Sequence, residues 1–206
     1  DPAGAVARFE EALSIVRDSG DRDQEALVLS NLGGALLEIG SCDDAMDRLD
    51  EALHGFERSG NSEHVSETHR FLAEARLALG RVEEAGRSAQ QAFDLARLDE
   101  NPDHLGHAWR VLGLVGAAQS SHDGAPSPEV DPATCLTTSV DVFAEAGMER
   151  DRAIALRDLA SVLSAQGDDD GAASTVDEVR EILERLQLGE LLQRIERRLA
   201  DSGVVT

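Results

Sequence analysis

A pair consisting of a leucine and a small residue recurs along this chain at an almost constant interval. Successive leucines of these pairs are 40, 40 and 47 residues apart, by subtraction of their residue numbers. Self-similarity at a period of about 40 residues is typical of a repeat array, in which each unit buries its apolar face against its neighbours. The pairs are Leu32-Gly33, Leu72-Ala73, Leu112-Gly113 and Leu159-Ala160.

A second group of small or apolar residues follows each leucine at distances of 13, 17 and 20 residues, except that the third copy comes seven residues later. Spacings of three and four residues place such a group on one face of an α-helix. Each unit is therefore predicted to be a hairpin of two helices, helix A with the Leu–small pair and helix B with the second group. The groups are Ala45, Leu49 and Ala52; Ala85, Ala89 and Ala92; Pro132, Leu136 and Ser139; and Ala172, Val176 and Val179.

Glycines that can end helices and aspartates that can begin them divide the chain into segments. Residues 1–20 are predicted to be the second helix of a truncated repeat, because their apolar residues lie 40 positions before those of the first complete helix B. The sequence starts at Asp1-Pro2 rather than at Met, so we expect a fragment of a longer protein. Four repeats and a C-terminal capping helix with its tail follow, over residues 21–60, 61–100, 101–147, 148–187 and 188–206.

Four local features carry predictions of their own. Residues 119–131 form a predicted loop insertion in the third repeat, expected to be a solvated loop, with a binding loop as the alternative. Asp168-Asp169-Asp170 is interpreted as a helix cap with charges that favour the helix dipole, rather than as a metal site. Leu112 is one of the four leucines that are expected to lie in the core. Its replacement by alanine is expected to lower the free energy of unfolding by about 2–5 kcal/mol. The leucine-rich face of the last helix is expected to cap the array, and a homodimer contact is the alternative.

Charge and composition exclude several classes of partner. The formal net charge is −22, the cations are all arginine, and aromatic residues make up only 3%. Such an acidic surface repels phosphate backbones, so nucleic-acid binding by this segment is not expected. The longest apolar run, Val111–Ala118, is too short to span a bilayer, and no signal-peptide pattern is present. With only Cys42 and Cys135, the expected location is the reducing cytoplasm.

The sequence offers no constellation typical of an enzyme. It has no nucleophile elbow, phosphate loop or dinucleotide fingerprint. Its six histidines have no recurring cysteine or acidic neighbour at metal-ligand spacing, although His104 and His107 share a helix face. The chain is therefore predicted to have no catalytic activity, no cofactor and no metal.

The combined pattern of an aromatic residue, a Leu-Gly pair and a later Ala-x3-apolar-x2-Ala group resembles the tetratricopeptide repeat (TPR) family. The third repeat carries the aromatic, Trp109, and departs from the family pattern at Gly116 and Pro132. The period of about 40 residues is similar to the long-repeat type found in bacterial multidomain regulators. The resemblance implies an all-α fold, a right-handed α-solenoid of antiparallel helix pairs.

The resemblance also implies a groove lined by helices A, and it assigns residues to that groove by their position relative to each Leu–small pair. Three arginines fall in register, and arginine suits carboxylates and acidic peptides. The alternative is that these arginines pair internally with Glu67, Glu74 and Asp158. The predicted groove residues are Asn31, Arg70, Phe71, Glu74, Arg110, Val111, Leu114 and Arg157.

Two functions remain open at this stage. The first is a non-catalytic protein–protein interaction scaffold whose groove binds a peptide or helix of a partner protein, within a larger bacterial regulatory, signalling or transcription-control protein. Other domains of the same protein could also be the partner. The alternative is a sensor that binds a small effector or a signalling peptide in the same groove.

Overall fold

The computed structural model describes residues 2–60, 64–120 and 131–204, and within these ranges α-helix is the only regular secondary structure. The truncated repeat, the four helix hairpins and the capping helix together predict ten helices, and each of them is present. Predictions that concern Asp1, residues 61–63, residues 121–130 of the loop insertion, and residues 205–206 lie outside the described part. The helices are α1 Pro2–Ser19, α2 Arg22–Glu38, α3 Cys42–Ser59, α4 Val65–Ala78, α5 Val82–Asp99, α6 Pro102–Ser120, α7 Pro132–Glu145, α8 Glu149–Ala165, α9 Asp169–Arg185 and α10 Gly189–Asp201.

The helix ends are stabilised as their sequences predict. Gly60 has a φ of 73°, a left-handed conformation that glycine adopts without strain, and its N–H donates to the Phe56 carbonyl. The Asp131 carboxylate accepts from the Thr134 N–H at 2.9 Å. Asp168 accepts from the Gly171 N–H at 2.9 Å, so the first carboxylate of the acidic triplet is a helix cap, as predicted.

The chain divides into two compact units, Asp1–Asp99 with α1 to α5 and Glu100–Thr206 with α6 to α10. Inside each unit, every helix packs against the next one along the chain, and α2 also contacts α4 while α8 contacts α10. Within each unit, and where the connection is described throughout, turns of two or three residues join successive helices, which reverses the chain direction and makes those neighbours antiparallel. This confirms the predicted all-α architecture of successive helix pairs.

In the first unit, small residues on helices A allow close approach of helices B. A Cβ atom placed on Gly33 would lie 2.5 Å from Cγ of Leu49, which is fully buried. At the equivalent positions of the next hairpin, Ala73 and Ala89 are both fully buried. A large residue therefore faces glycine in one repeat, and alanine takes both positions in the next.

The second unit follows the same rule. A Cβ atom on Gly113 would lie 2.7 Å from Cγ of Leu136, and one on Gly106 would lie 2.5 Å from the Phe143 ring. The apolar face of α10 joins this core, because Ile195 and Leu199 are each 1% exposed. The leucine-rich stripe of the last helix is thus used inside its own unit.

One predicted core position is wrong. Leu32, Leu72 and Leu159 are buried, but Leu112 is only half-buried. Its neighbours Val111 and Val115 point into the core instead, with 0% and 3% exposure. Adjacent helical residues differ by about 100° around the axis, so Leu112 lies at the margin of that face.

Candidate functional site

In the first unit, the predicted groove residues lie on α2 and α4, which are in contact. The Phe71 ring of α4 covers Gly34 of α2, where an added Cβ would lie 2.6 Å from the ring. A buried hydrogen bond of 2.8 Å between the Ser30 and Thr68 hydroxyls also joins these helices. Asn31, between Ser30 and Gly34 on α2, is half-buried. The two helices A of this unit therefore form one continuous face.

Arg70 is held on this face by two carboxylates and an aromatic ring. Its guanidinium donates to Glu74 at 3.0 Å and to Glu67 at 3.4 Å. The same group lies 3.8 Å from the centroid of the Phe71 ring, within range of a cation–π interaction. Arg70 is therefore a paired cation, as in the internal-pairing alternative.

In the second unit, a buried carboxylate connects α6 to α8. Arg110 of α6 donates from Nε to Oδ2 of Asp158 at 2.6 Å, and Arg157 donates from Nε to Oδ1 of Asp158 at 2.8 Å. The side chains of Arg110 and Asp158 are 10% and 9% exposed, and that of Arg157 is 12% exposed. Two predicted groove arginines thus share one carboxylate, as the internal-pairing alternative also predicts.

A third arginine from the capping helix faces this cluster. Burial alone would raise the pKa of Asp158, but attraction to Arg110 and Arg157 outweighs it and lowers that pKa. Repulsion from Arg157 and partial burial lower the pKa of Arg198, with a smaller opposing effect of Asp158. Arg198 is nevertheless exposed, and no carboxylate within residues 2–60, 64–120 and 131–204 forms an ion pair with it. Three arginines of the described residues therefore influence one another beside Asp158.

We name Arg110, Arg157, Asp158 and Arg198 the arginine cluster. Its member on α10 was missed by the repeat pattern, because the register of groove residues extends only over helices A. A signal was present in the sequence: Arg194, Arg197 and Arg198 are concentrated on one short helix of an otherwise acidic chain. Because α8 and α10 are in contact, one of these arginines, Arg198, lies near Arg157.

The remaining predicted groove residues differ in their burial and in the unit to which they belong. Leu114 on α6 is half-buried and keeps part of its surface accessible. Val111 is 0% exposed and packs inside the second unit, so its assignment to an accessible groove is corrected: the rotation of α6 that exposes part of Leu112 buries Val111. The three predicted arginines are divided, with Arg70 in the first unit and Arg110 and Arg157 in the second.

Other kinds of site have little support in the described residues. No three His, Cys, Asp or Glu side chains there are grouped so as to hold a metal ion. Cys42 and Cys135 are free thiols. No described helix combines the length and the apolar character that crossing a bilayer requires.

Comparison with known proteins identifies the fold. No protein-family model and no curated protein sequence matches the chain. Among solved structures, the apo form of RapI aligns with a TM-score of 0.73 at 17% identity, over 90% of this chain and 63% of RapI. Aspartyl phosphate phosphatase F from Bacillus subtilis aligns with a TM-score of 0.71 at 18% identity, over 91% of this chain and 48% of that protein. The chain thus spans less than two thirds of either protein.

A third similar structure contains the nearly identical TPR-like repeats of a Podosopora anserina kinesin light chain. It aligns with a TM-score of 0.57 at 18% identity, over 90% of this chain and 89% of that one. At these identities the likeness concerns the fold and not the activity. The chain has a TPR-like helical-repeat fold, which confirms the resemblance seen in its repeated residues.

Proposed function

We propose that this protein is a non-catalytic interaction scaffold that binds a peptide or helix of a partner protein through the exposed face of its helices A, and that the arginine cluster anchors a carboxylate of that partner. The observation that carries the proposal is the group of three arginines beside Asp158 in the second unit. Arg110 and Arg157 donate hydrogen bonds to the carboxylate of Asp158, and Arg198 is close enough to be repelled by Arg157. Such a group of arginines stands out in a chain of net charge −22.

The chemistry of the cluster favours an anionic ligand. Asp158 fixes Arg110 and Arg157 with short hydrogen bonds, so their guanidinium planes are oriented before a ligand arrives. Arg198 is exposed and repelled by Arg157, and a bound carboxylate would relieve that repulsion. Guanidinium groups bind carboxylates with two parallel hydrogen bonds, which adds orientation to affinity.

Half-buried apolar side chains accompany the charges on the same helices. Leu114 lies one turn after Arg110 on α6, and Ile154 lies one turn before Asp158 on α8. A peptide that combines acidic and apolar residues, or an amphipathic helix, would match both features. The alternative of a small anionic effector shares the carboxylate chemistry, so the test separates the two sources.

A larger regulatory protein is the expected context. RapI and the Bacillus phosphatase are longer than this chain, which aligns with 63% and 48% of them. We propose that this segment is part of a bacterial signalling or transcription regulator in the cytoplasm. Other domains of that protein are then possible partners of the helix A face.

Binding of a fluorescein-labelled hexaglutamate peptide tests the proposal by fluorescence anisotropy. Hexaglutamate is expected to bind, and hexaglutamine to bind at least tenfold more weakly. Arg198→Gln should weaken hexaglutamate binding about tenfold, because one charge-assisted hydrogen bond contributes about 1.5 kcal/mol. Arg197→Gln, which removes the same charge from the neighbouring residue of α10, should change the affinity less than twofold.

The outcomes discriminate between ligands. If the two peptides bind with equal affinity, or if the two substitutions weaken hexaglutamate binding equally, the arginine cluster is not the binding site. Glutarate, a small dicarboxylate, tests the alternative of a small effector. If glutarate displaces hexaglutamate at a similar molar concentration, two carboxylates are enough for binding. The small-effector alternative then replaces the peptide scaffold. Both variants should keep the helical circular dichroism of the parent, because both arginines are exposed.

A further inference from the structure

A cleft of about 420 Å³ lies where α1, α2 and α3 of the first unit meet. Its volume is within the range of about 300–1,000 Å³ that is usual for ligand sites. The floor is apolar, because it consists of the buried side chains of Leu13 on α1 and Leu32 on α2. We name this site the α1–α3 cleft. Its polar rim consists of Glu10, Ser14, Arg17 and Asp18 of α1 and Arg48 of α3.

Both arginines of the α1–α3 cleft are already hydrogen-bonded to carboxylates. Arg17 donates from Nε to Glu25 at 2.8 Å and from Nη2 to Glu51 at 2.5 Å. Arg48 donates from Nη1 to the other oxygen of Glu51 at 3.3 Å. Hydrogen bonds between ionised groups fix the orientation of the guanidinium and offset part of its charge. Each arginine of the rim thus has a carboxylate partner before any ligand binds.

The two carboxylates of the rim have no such partner. Within residues 2–60, 64–120 and 131–204, neither Glu10 nor Asp18 forms an ion pair. Unpaired carboxylates beside paired guanidinium groups favour a cationic ligand over an anionic one. The net charge of the chain, −22, also favours the approach of a cation.

The equivalent groove of the next repeat, between α3 and α5, indicates which cation fits. Asp50 corresponds to Glu10, because the repeats are 40 residues apart. Ser88 corresponds in the same way to Arg48. Arg76 of α4 extends into this groove, where its guanidinium donates to the Ser88 hydroxyl and lies 3.9 Å from the Asp50 carboxylate. A guanidinium group of the chain itself therefore occupies the groove of the second repeat.

Helix α2 supplies no such group to the α1–α3 cleft. The residue 40 positions before Arg76 is Leu36, which is buried in the core of the first unit. Leu32 is the one residue of α2 that lines the cleft, and it carries no charge. Equivalent sites of two successive repeats therefore differ, since one holds a guanidinium group from its own helix A and the other is open.

We propose that the α1–α3 cleft binds the arginine side chain of a partner protein. The guanidinium group of that side chain lies beside Glu10, as the guanidinium of Arg76 lies beside Asp50, and the Ser14 hydroxyl is a further acceptor. Its methylene groups cover the two leucines of the floor, since the stem of an arginine packs on apolar surface while its charged end stays in water. The rim belongs to α1 and α3, so this site is separate from the face of helices A.

Titration with the blocked tripeptide acetyl-Ala-Arg-Ala-amide tests the proposal, followed by the NMR methyl signals of Leu13 and Leu32. Both signals should shift in a saturable manner, because these leucines form the floor of the cleft. The tripeptide with citrulline, which has nearly the shape of arginine but no charge, should bind at least about tenfold more weakly. Free arginine should bind no more tightly than the tripeptide.

A matched pair of substitutions on α1 locates the binding site. Glu10→Gln should weaken binding of the arginine tripeptide about fivefold, as expected for loss of one partly exposed ion pair. Glu11→Gln removes the same charge from the next residue, which is exposed and does not line the cleft, and should change the affinity less than about twofold. Both variants should keep the helical circular dichroism of the parent.

Four results would overturn the proposal. Equal affinity for the arginine and citrulline tripeptides would mean that the cleft does not recognise the charge. Unchanged signals of Leu13 and Leu32, or equal effects of the two substitutions, would mean that arginine is bound elsewhere on the acidic surface. Binding of free arginine at least about tenfold more tightly than the tripeptide would assign the cleft to a small guanidinium compound instead.

Discussion

Asp158→Ala should destabilise the second unit by about 3–5 kcal/mol, because removal of one partner from a buried ion pair leaves uncompensated charge behind. Arg110 and Arg157 would lose their shared acceptor, and Arg198 would add further repulsion. The tryptophan at position 109, the only one in the chain, lies on α6 and reports this unit selectively. Urea unfolding followed by its fluorescence measures the change.

Asp177→Ala is the matched control for this prediction. Asp177 pairs with Arg180 in the same unit, but its side chain is 78% exposed. An exposed ion pair contributes at most about 1 kcal/mol, so the midpoint should move little. A similar small effect of Asp158→Ala would show that Asp158 is hydrated and that the arginine cluster is not held in a fixed arrangement.

Acid should remove the same contribution in the parent protein. Because the pKa of Asp158 is lowered on folding, its stabilising effect is fully present above the ordinary aspartate value of about 3.9. It is lost as the pH falls below that value towards the folded-state pKa.

Leu49→Ala should cost the first unit about 2–5 kcal/mol, as large-to-small changes in a packed core do. Leu49 is 0% exposed and fills the space above Gly33 between α2 and α3. The loss should show in urea unfolding followed by circular dichroism at 222 nm, since the first unit contains no tryptophan. Leu98→Ala provides the control, because Leu98 on α5 is 81% exposed and its truncation should change stability by less than about 0.5 kcal/mol. Equal effects of the two substitutions would place Leu49 outside the core.

Local patterns in the sequence were sufficient to predict the helices and most of the core. Periodic apolar residues marked each helix, and residues such as Gly60 and Asp131 marked their ends because they satisfy backbone groups that the helix leaves unpaired. The Leu–small pairs also indicated which helix surfaces meet, as the contact of Gly33 with Leu49 shows. These features depend on neighbours within about 20 residues and recur in each repeat.

Features that depend on the rotation of a helix or on packing outside the repeat could not be predicted from the sequence. The apolar run around Val111 and Leu112 is compatible with either residue facing the core, and a rotation of about 100° decides between them. Arg198 belongs to a helix with no counterpart in the repeats, so no register connects it to Arg157. The contact of α10 with α8 brings Arg198 near Arg157 and Asp158.

The double-mutant cycle of Gly33→Ala and Leu49→Ala tests most directly the claim that these hairpins are copies of one unit with matched residue sizes. Gly33→Ala alone should be destabilising, because its new methyl group would overlap Leu49 and overpacking costs about 1–3 kcal/mol. In the Leu49→Ala background the same change should be stabilising, since the pair then matches Ala73 and Ala89 and alanine favours the helix by about 1 kcal/mol over glycine. The account predicts a coupling free energy of at least about 1 kcal/mol between the two sites; additivity within about 0.5 kcal/mol would contradict it.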